Sequence, residues 1–246
     1  MAILIVAACA KSSPSAAVLD TAQLQTIVAA PDRSDNDRER DKQRKPVDLL
    51  TFIGVAPGMH AADLGSGGGY TAELLARAVG PTGSVVAQDT PHWNVESIAK
   101  AWATRLARPE LAHTTHVTRS WEDPLPPDAH DLDVVTFVAA YHDVVAEKDD
   151  ETKLNAAVFA ALKPGGVYVV IDNSAQAGAG KTVCATFHRI DEQVVRDEVV
   201  RAGFKLAGDA GFMRVPTDTR DWNADPDGTN PRAHTQDLFV LKFVKP

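Results

Sequence analysis

Two short stretches hold residue types that could do chemistry. In "ADLGSGGGYTAELL", Ala62 to Leu75, four glycines fall within five positions, two residues after Asp63 and directly before a helical pattern that opens at Tyr70. Residues without Cβ take positive φ and leave space, so this turn suits a ligand that the backbone must approach closely. The second stretch is "FVAAYHD", Phe137 to Asp143, at the end of an apolar run. There His142 could serve as a general base near neutral pH, with Asp143 orienting it and Tyr141 shaping the pocket. His188 in "TFHRID" could face the same cleft. The same triplet also suits a strand cap, and His188 a surface or helix-capping position.

Such residues must be positioned by a scaffold. From Val47 strands alternate with helices: Met59–Leu64, Ser84–Gln88, Thr115–Arg119, Leu132–Ala140 and Val167–Ile171 read as strands, and Tyr70–Val79, Val95–Arg108, Lys148–Leu162 and Asp191–Ala202 as helices. That alternation predicts an α/β, Rossmann-like doubly wound sheet, mainly parallel and covered on both faces. Phe204–Ala207 and Leu238–Phe243 have no helical pattern between them and should pair antiparallel at one edge. The connection Asp209–Asp237 is long and rich in Asp, Pro, Gly and Asn, and Trp222 within it could lie over a substrate or pack on its own domain.

The ligand class follows from the glycine spacing. A dinucleotide fingerprint, Gly-x-Gly-x-x-Gly counted from Gly65, would need its last glycine where Tyr70 stands. What is present is Asp63-x-Gly65-x-Gly67-x-Gly69. Asp89 closes "SVVAQD" 24 residues after Gly65, with Thr90 next; the third strand runs into "RSWEDPLP", with Ser120, Trp121 and Glu122; and "LKPGGVYVVID" leads into the fifth strand. In this order the phrases resemble the class I S-adenosylmethionine-dependent methyltransferase superfamily. From about Arg33 onward the chain is similar to a bacterial predicted-methyltransferase group whose members often carry secretory signals, through "DRERDKQRKPVDLLTFIGVAPGM", "DLGSGGGYTAELLARAVGPTGSV", "AAYHD", "LKPGG", "HRIDEQVVRDEVVRAGFKL" and "FVLKFVKP".

The resemblance implies a seven-stranded sheet with the last strand antiparallel and S-adenosyl-L-methionine as the cofactor. The loop Gly65, Ser66, Gly67, Gly69 and Tyr70 would pass under its methionine part, with Asp63 near the ammonium. Asp89, with Thr90, would hold the ribose hydroxyls, and Ser120, Trp121 and Glu122 would frame the adenine. The end of the fourth strand, with Ala139, would lie beside the methyl group. An exported, lipoprotein-like relative that keeps the adenosyl pocket without transfer is an alternative. So is a divalent-metal-assisted catechol-type O-methyltransferase, whose Asp-Asn pair after the fifth strand Asp172-Asn173 resembles, although Val138 stands where a second metal-ligating aspartate would be needed. The expectation is methyl transfer to a small molecule, at oxygen, with no protein-bound metal.

Composition sets the outer bounds. With 25 basic and 33 acidic residues among 246 the net charge is -8, which disfavours nucleic acid as a partner and favours a small-molecule substrate. Cys9 and Cys184 are too far apart to be read together, and Cys184 is expected to be an unreactive thiol. Val6-Ala7-Ala8-Cys9 resembles a lipobox, although no basic segment precedes the apolar run, which is too short to span a bilayer. A lipid anchor at Cys9 would make the protein periplasmic or membrane-anchored; without it the expectation is cytoplasmic. Residues 1–30 are therefore set apart as an apolar segment and tether, which includes a short helix over Leu19–Ala30. Residues 31–246 form the expected methyltransferase domain: a helical cap over 31–56 and the sheet core over 57–246. Within the cap, Pro31–Pro46 is dense in charge, with acid-base pairs at i,i+3 (Asp35/Arg38, Asp37/Arg40, Glu39/Lys42, Asp41/Arg44). This helix is either a solvated face or a cover over the pocket, with Arg44 or Lys45 reaching an anionic group.

Overall fold

The computed structural model describes residues 17–224, 230–232 and 234–246; Cys9 and its apolar run lie outside the described residues. Seven strands form one sheet: β1 (His60–Leu64), β2 (Ser84–Asp89), β3 (Thr114–Thr118), β4 (Leu132–Val138), β5 (Leu162–Asn173), β6 (Lys205–Ala210) and β7 (Leu238–Val244), in the order β3-β2-β1-β4-β5-β7-β6. β1 to β5 pair in parallel, and β7 runs antiparallel to both β5 and β6. The two last strands do pair with each other, but β7 enters between β5 and β6, so β6 is the edge. Its burial pattern reflects this, with no residue of β6 fully buried, while Leu238 to Leu241 of β7 are all inside.

Helices cover both faces. One face packs α1 (Thr21–Val28), α3 (Pro46–Ile53) and α4 (Tyr70–Val79) on the sheet through Leu24, Leu49, Leu50, Leu74 and Leu75. The other packs α6 (Tyr141–Glu147), α7 (Glu151–Ala161) and α9 (Glu192–Arg201) through Tyr141, Val144, Leu154, Val158, Val195 and Val199. Leu24 is 1% exposed, so the core already begins in α1, ahead of residue 31. Two further helices, α2 (Asp35–Arg44) and α5 (Glu96–Leu106), flank α4, and a short α8 (Cys184–Phe187) follows β5.

Three helices, α3, α6 and α8, fall where no separate helix was expected. Pro at the first helical position starts α3, and Gly54 at φ 81° stops it within eight residues, too few to establish a period. The expected helix Lys148–Leu162 is α7, which starts later, at Glu151: α6 precedes it and ends on Lys148 at φ 66°, and Asp150 caps α7 by accepting from the Thr152 and Lys153 amides at 2.9 and 3.3 Å. The order in which successive strands are added reverses between the parallel neighbours β1 and β4, and in open parallel sheets the crevice at the C-terminal ends of such strands takes the ligand. Both chemistry-bearing stretches follow those two strands.

Candidate active site

At that crevice lies a cavity of about 460 Å³. Of the residues expected from sequence, Asp63, Gly65, Ser66, Gly67, Tyr70, Ala139, His142, Asp143 and His188 line it together. The glycine loop forms one wall. A Cβ on Gly65 would sit 2.6 Å from the Ala140 Cβ, so at φ 57° this position requires glycine twice over. Gly67, at φ 51°, has open space where its Cβ would stand. α5 pins the loop from behind: Trp102 Nε1 donates to the Gly67 carbonyl at 2.8 Å and Arg105 Nε to that of Gly68 at 2.5 Å. Gly69 is not in the wall; at φ 81° it starts α4, with a Cβ position 2.9 Å from the Arg105 side chain.

Three side chains expected near the adenosyl part stand elsewhere. Trp121 is wholly buried, packed on Phe137 and donating to Glu147 at 2.9 Å, because the chain after β3 turns its large apolar ring under the sheet. Ser120 is exposed, and Glu122 pairs with Lys153 at 2.7 Å. None of the three lines the cavity. The tryptophan that lines the wall is Trp93, set edge-on against Trp121 with centroids 5.6 Å apart and joined there by Val95 and Ile98. "PHWNV" directly after the second strand contained that signal. Asp89 is also turned from the cavity: its carboxylate accepts from the Gly67 amide at 2.7 Å, the Ser66 hydroxyl at 3.0 Å and His116 Nε2 at 2.8 Å, so it braces the loop. Thr90 is buried behind it, with a hydroxyl lacking a partner among the described residues.

The opposite wall carries the titratable groups. β4 ends at Val138, Ala139 turns the chain at φ 56° while its amide donates to the Ile171 carbonyl, and α6 starts with Tyr141. Consecutive residues there face opposite ways. Tyr141 points into the α7–α9 side, donating to Glu198 at 2.8 Å and accepting from Asn155 at 2.7 Å, so it does not shape the pocket; burial pushes its phenol up. His142 faces the cavity. Its orienting acid is Asp172 at the end of β5, 2.7 Å from Nδ1 and also accepting from the His142 amide at 2.8 Å, rather than the adjacent Asp143. Asp143 lies on the other side, 3.3 Å from Nε2, with its carboxyl pushed up to about 6 by burial. His188 meets the His142 ring edge-on at 5.5 Å and shares Nδ1 with the Asn223 amide oxygen at 2.8 Å.

Asp172 is thus held by His142 and by the Asn173 amide at 2.7 Å. Among the described residues no group of three His, Cys, Asp or Glu side chains is gathered as a metal site. Cys184 is buried, free and pushed up to about 12 by burial.

Arg40 and Arg44 of α2 line the cavity from above, so this helix covers the site, while Lys45 ends it at φ 44° and takes no part. From the C-terminal connection come Ala224, His234 and Gln236. Trp222 is not a lid residue: it packs between Arg189 and Arg232 at 4.7 and 5.6 Å and donates to Asp218 at 2.7 Å. Asp218 and Asp237 tie the described part of this connection together through Arg189, Arg214 and Arg220.

The cavity suits the adenosyl ligand implied by the sequence. Arg44 Nε, Asn173 Oδ1 and Gln236 Oε1 are buried in its wall without partners among the described residues, as expected of groups that meet a polar ligand. Asp63, accepting from Thr136 at 2.7 Å, presents a carboxyl that burial pushes up to about 7, which an ammonium group would return to its charged form.

Residues 62–170 match a methyltransferase domain family. The chain is 33% identical over 126 residues to ubiquinone/menaquinone biosynthesis C-methyltransferases of Ectopseudomonas mendocina and Pseudomonas putida, a match covering 51% of this chain and 46% of theirs. The chain therefore spans about half the length of these relatives. Among solved structures, a SAM-dependent methyltransferase from Aquifex aeolicus is similar at TM-score 0.60 and 16% identity, over 92% of this chain and 99% of that one. Another from Mesorhizobium loti is similar at TM-score 0.57 and 18% identity, over 84% and 100%. These two speak to the fold. The domain match spans the glycine loop, β2 to β4 and most of β5, so this part of the chain is similar to a methyltransferase domain, on a fold shared with S-adenosylmethionine-dependent methyltransferases.

Proposed function

We propose that the protein transfers a methyl group from S-adenosylmethionine to a small-molecule acceptor, at an oxygen atom, with His142 taking the acceptor's proton. The observation that carries this reading is the Asp172–His142 pair, joined at 2.7 Å, in the wall across from the glycine loop. When bound, S-adenosylmethionine supplies an electrophilic methyl carried on a sulfonium.

In this reading Asp63 and the Gly65–Gly67 loop hold the amino-acid end, and Trp93, Val95 and Ile98 give the adenosine an apolar bed. Nδ1–H donated to Asp172 makes Nε2 the basic nitrogen, and it faces Asp143. A proton accepted there is stabilised by the Asp172 carboxylate across the ring, while the cavity wall keeps the acceptor oxygen near the methyl. Carbon is the second reading, favoured by the names of the matched relatives, which are C-methyltransferases. It calls on the same proton acceptor.

A labelled methyl-donor assay against phenols, enols and carboxylic acids tests the proposal. His142→Ala should lower kcat by about 10²–10⁴-fold while S-adenosylhomocysteine affinity holds, and the product's methyl resonance separates oxygen from carbon. Binding without transfer to any acceptor would leave an adenosyl-binding module instead.

A further inference from the structure

α2 carries two guanidinium groups into the cavity and leaves their acids behind. By sequence, Asp37 would pair with Arg40 and Asp41 with Arg44. In the fold, Asp37 is buried and pairs with Arg105 at 2.8 Å, while Asp41 accepts from Arg33 at 2.8 Å and from the Tyr70 hydroxyl at 2.6 Å. Of the four expected pairs on this helix, only Glu39–Lys42, exposed and 2.7 Å apart, has an ion pair among the described residues. Arg40 and Arg44, one helical turn apart, therefore project on one face. The Arg40 guanidinium lies 5.4 Å from the Tyr70 ring centroid, and Arg44 Nε is buried without a partner among the described residues. Burial and its neighbour Arg40 pull the Arg44 guanidinium down to about 10. His234 approaches from the C-terminal connection and is held toward its neutral form by burial and both arginines.

The carboxyls in reach do not balance this charge. Asp63 is burial-raised and faces the glycine loop, Asp172 is bonded to His142, and Asp143 is itself pushed toward its neutral form. A donor with one ammonium, one sulfonium and one carboxylate is net positive, and its single carboxylate neutralises one guanidinium at most. Resting on the methyl-transfer reading above, we propose that the acceptor is an acid whose carboxylate is held by Arg40 and Arg44 while its nucleophilic atom faces His142. Paired planar forks match a carboxylate better than any neutral group of the same shape.

The test uses the full chain saturated with S-adenosylhomocysteine and titrated calorimetrically with benzoate or its neutral isostere benzamide. Wild type should bind benzoate at least about tenfold more tightly, a difference of about 1.4 kcal/mol. Arg40→Gln and Arg44→Gln should each erase most of that preference, while Lys42→Gln, the same charge change on the outer face, should keep it. Equal binding of the two probes, or a preference that survives in both arginine variants, overturns the proposal.

A second arm separates the two carboxylate sources. S-adenosylhomocysteine and 5′-methylthioadenosine, which lacks the amino-acid part, are titrated into each variant; unchanged affinity for both is expected. Loss of the first alone, without a benzoate preference in wild type, would assign the arginines to the donor and sink the acidic acceptor. If wild type does not bind S-adenosylhomocysteine at all, the methyl-transfer reading fails by itself, and the benzoate comparison on the unloaded protein decides the anion site.

Discussion

The two walls of the cavity are built on different principles. The β1–α4 wall is made of backbone: a run of eight residues, Asp63 to Tyr70, in which glycines turn the chain and the helix starts at once. The β4–β5 wall and its cover are made of side chains from distant segments: Arg40 and Arg44, His142 with Asp172 behind it, Asp143, Asn173, His188, His234 and Gln236. A backbone wall can be held in common by many proteins that bind the same donor, because it presents little beyond shape and amides. A side-chain wall can be changed one residue at a time, which is where this fold gains different acceptors.

The largest effect should come from the side-chain wall. Asp172→Asn removes the acid that sets the His142 tautomer and should lower turnover by about 10²–10³-fold, whereas Asp143→Asn should cost less than about tenfold. Steady-state kinetics on both variants, with donor affinity as a control, checks the order. Reversal would restore Asp143 as the orienting residue.

In the backbone wall, Gly65→Ala meets the Ala140 Cβ at 2.6 Å in a left-handed conformation, whereas Gly67→Ala meets only open space. The first should cost about 2–4 kcal/mol, combining overpacking with strain, and the second about 1 kcal/mol from strain alone. Urea unfolding of the two variants gives both numbers. Trp93→Ala should weaken S-adenosylhomocysteine binding by roughly tenfold. Trp121→Phe should leave that affinity unchanged and lower only the unfolding midpoint, as befits a ring that is wholly buried.

The smallest effect is a pH dependence. The Asp63 carboxyl, pushed from 3.8 up to about 7, keeps its proton in the folded protein at pH values where the unfolded chain has lost it. The native state then binds more protons, so this group makes the ligand-free protein less stable as pH rises from about 4 to about 7. An ammonium ligand needs the ionised form, so donor affinity should rise severalfold between about pH 6 and pH 8. In Asp63→Asn the rise should be absent, as calorimetry at the two pH values would show.

The mainly parallel sheet and the glycine wall were legible in the sequence because each rests on neighbours in the chain: alternating patterns, a turn that only glycine fits, a helix that starts where the turn ends; the place of β7 between β5 and β6 was not, since it depends on a pairing across the fold. Trp121 misled because an aromatic after the third strand suits a stacking surface and a core equally, and burial decided the matter. Asp143 misled in a similar way. Adjacency in sequence suggested that it orients His142, yet the start of α6 turns the ring toward Asp172, 30 positions away. The arginines of α2 illustrate the same limit. Their helix was legible and so were its i,i+3 pairs, but Arg105, Arg33 and Tyr70 compete for the acids and win, an outcome that depends on contacts across the fold.

The central claim is that this crevice is an adenosyl pocket. Its most direct test is calorimetric titration of the purified protein at about pH 8 with S-adenosylhomocysteine and, separately, with a reduced nicotinamide dinucleotide. One S-adenosylhomocysteine per chain with a Kd in the micromolar range, weakened at least about tenfold by Asp63→Asn, is the expected result. No binding of S-adenosylhomocysteine, or equal binding of the dinucleotide, would contradict it.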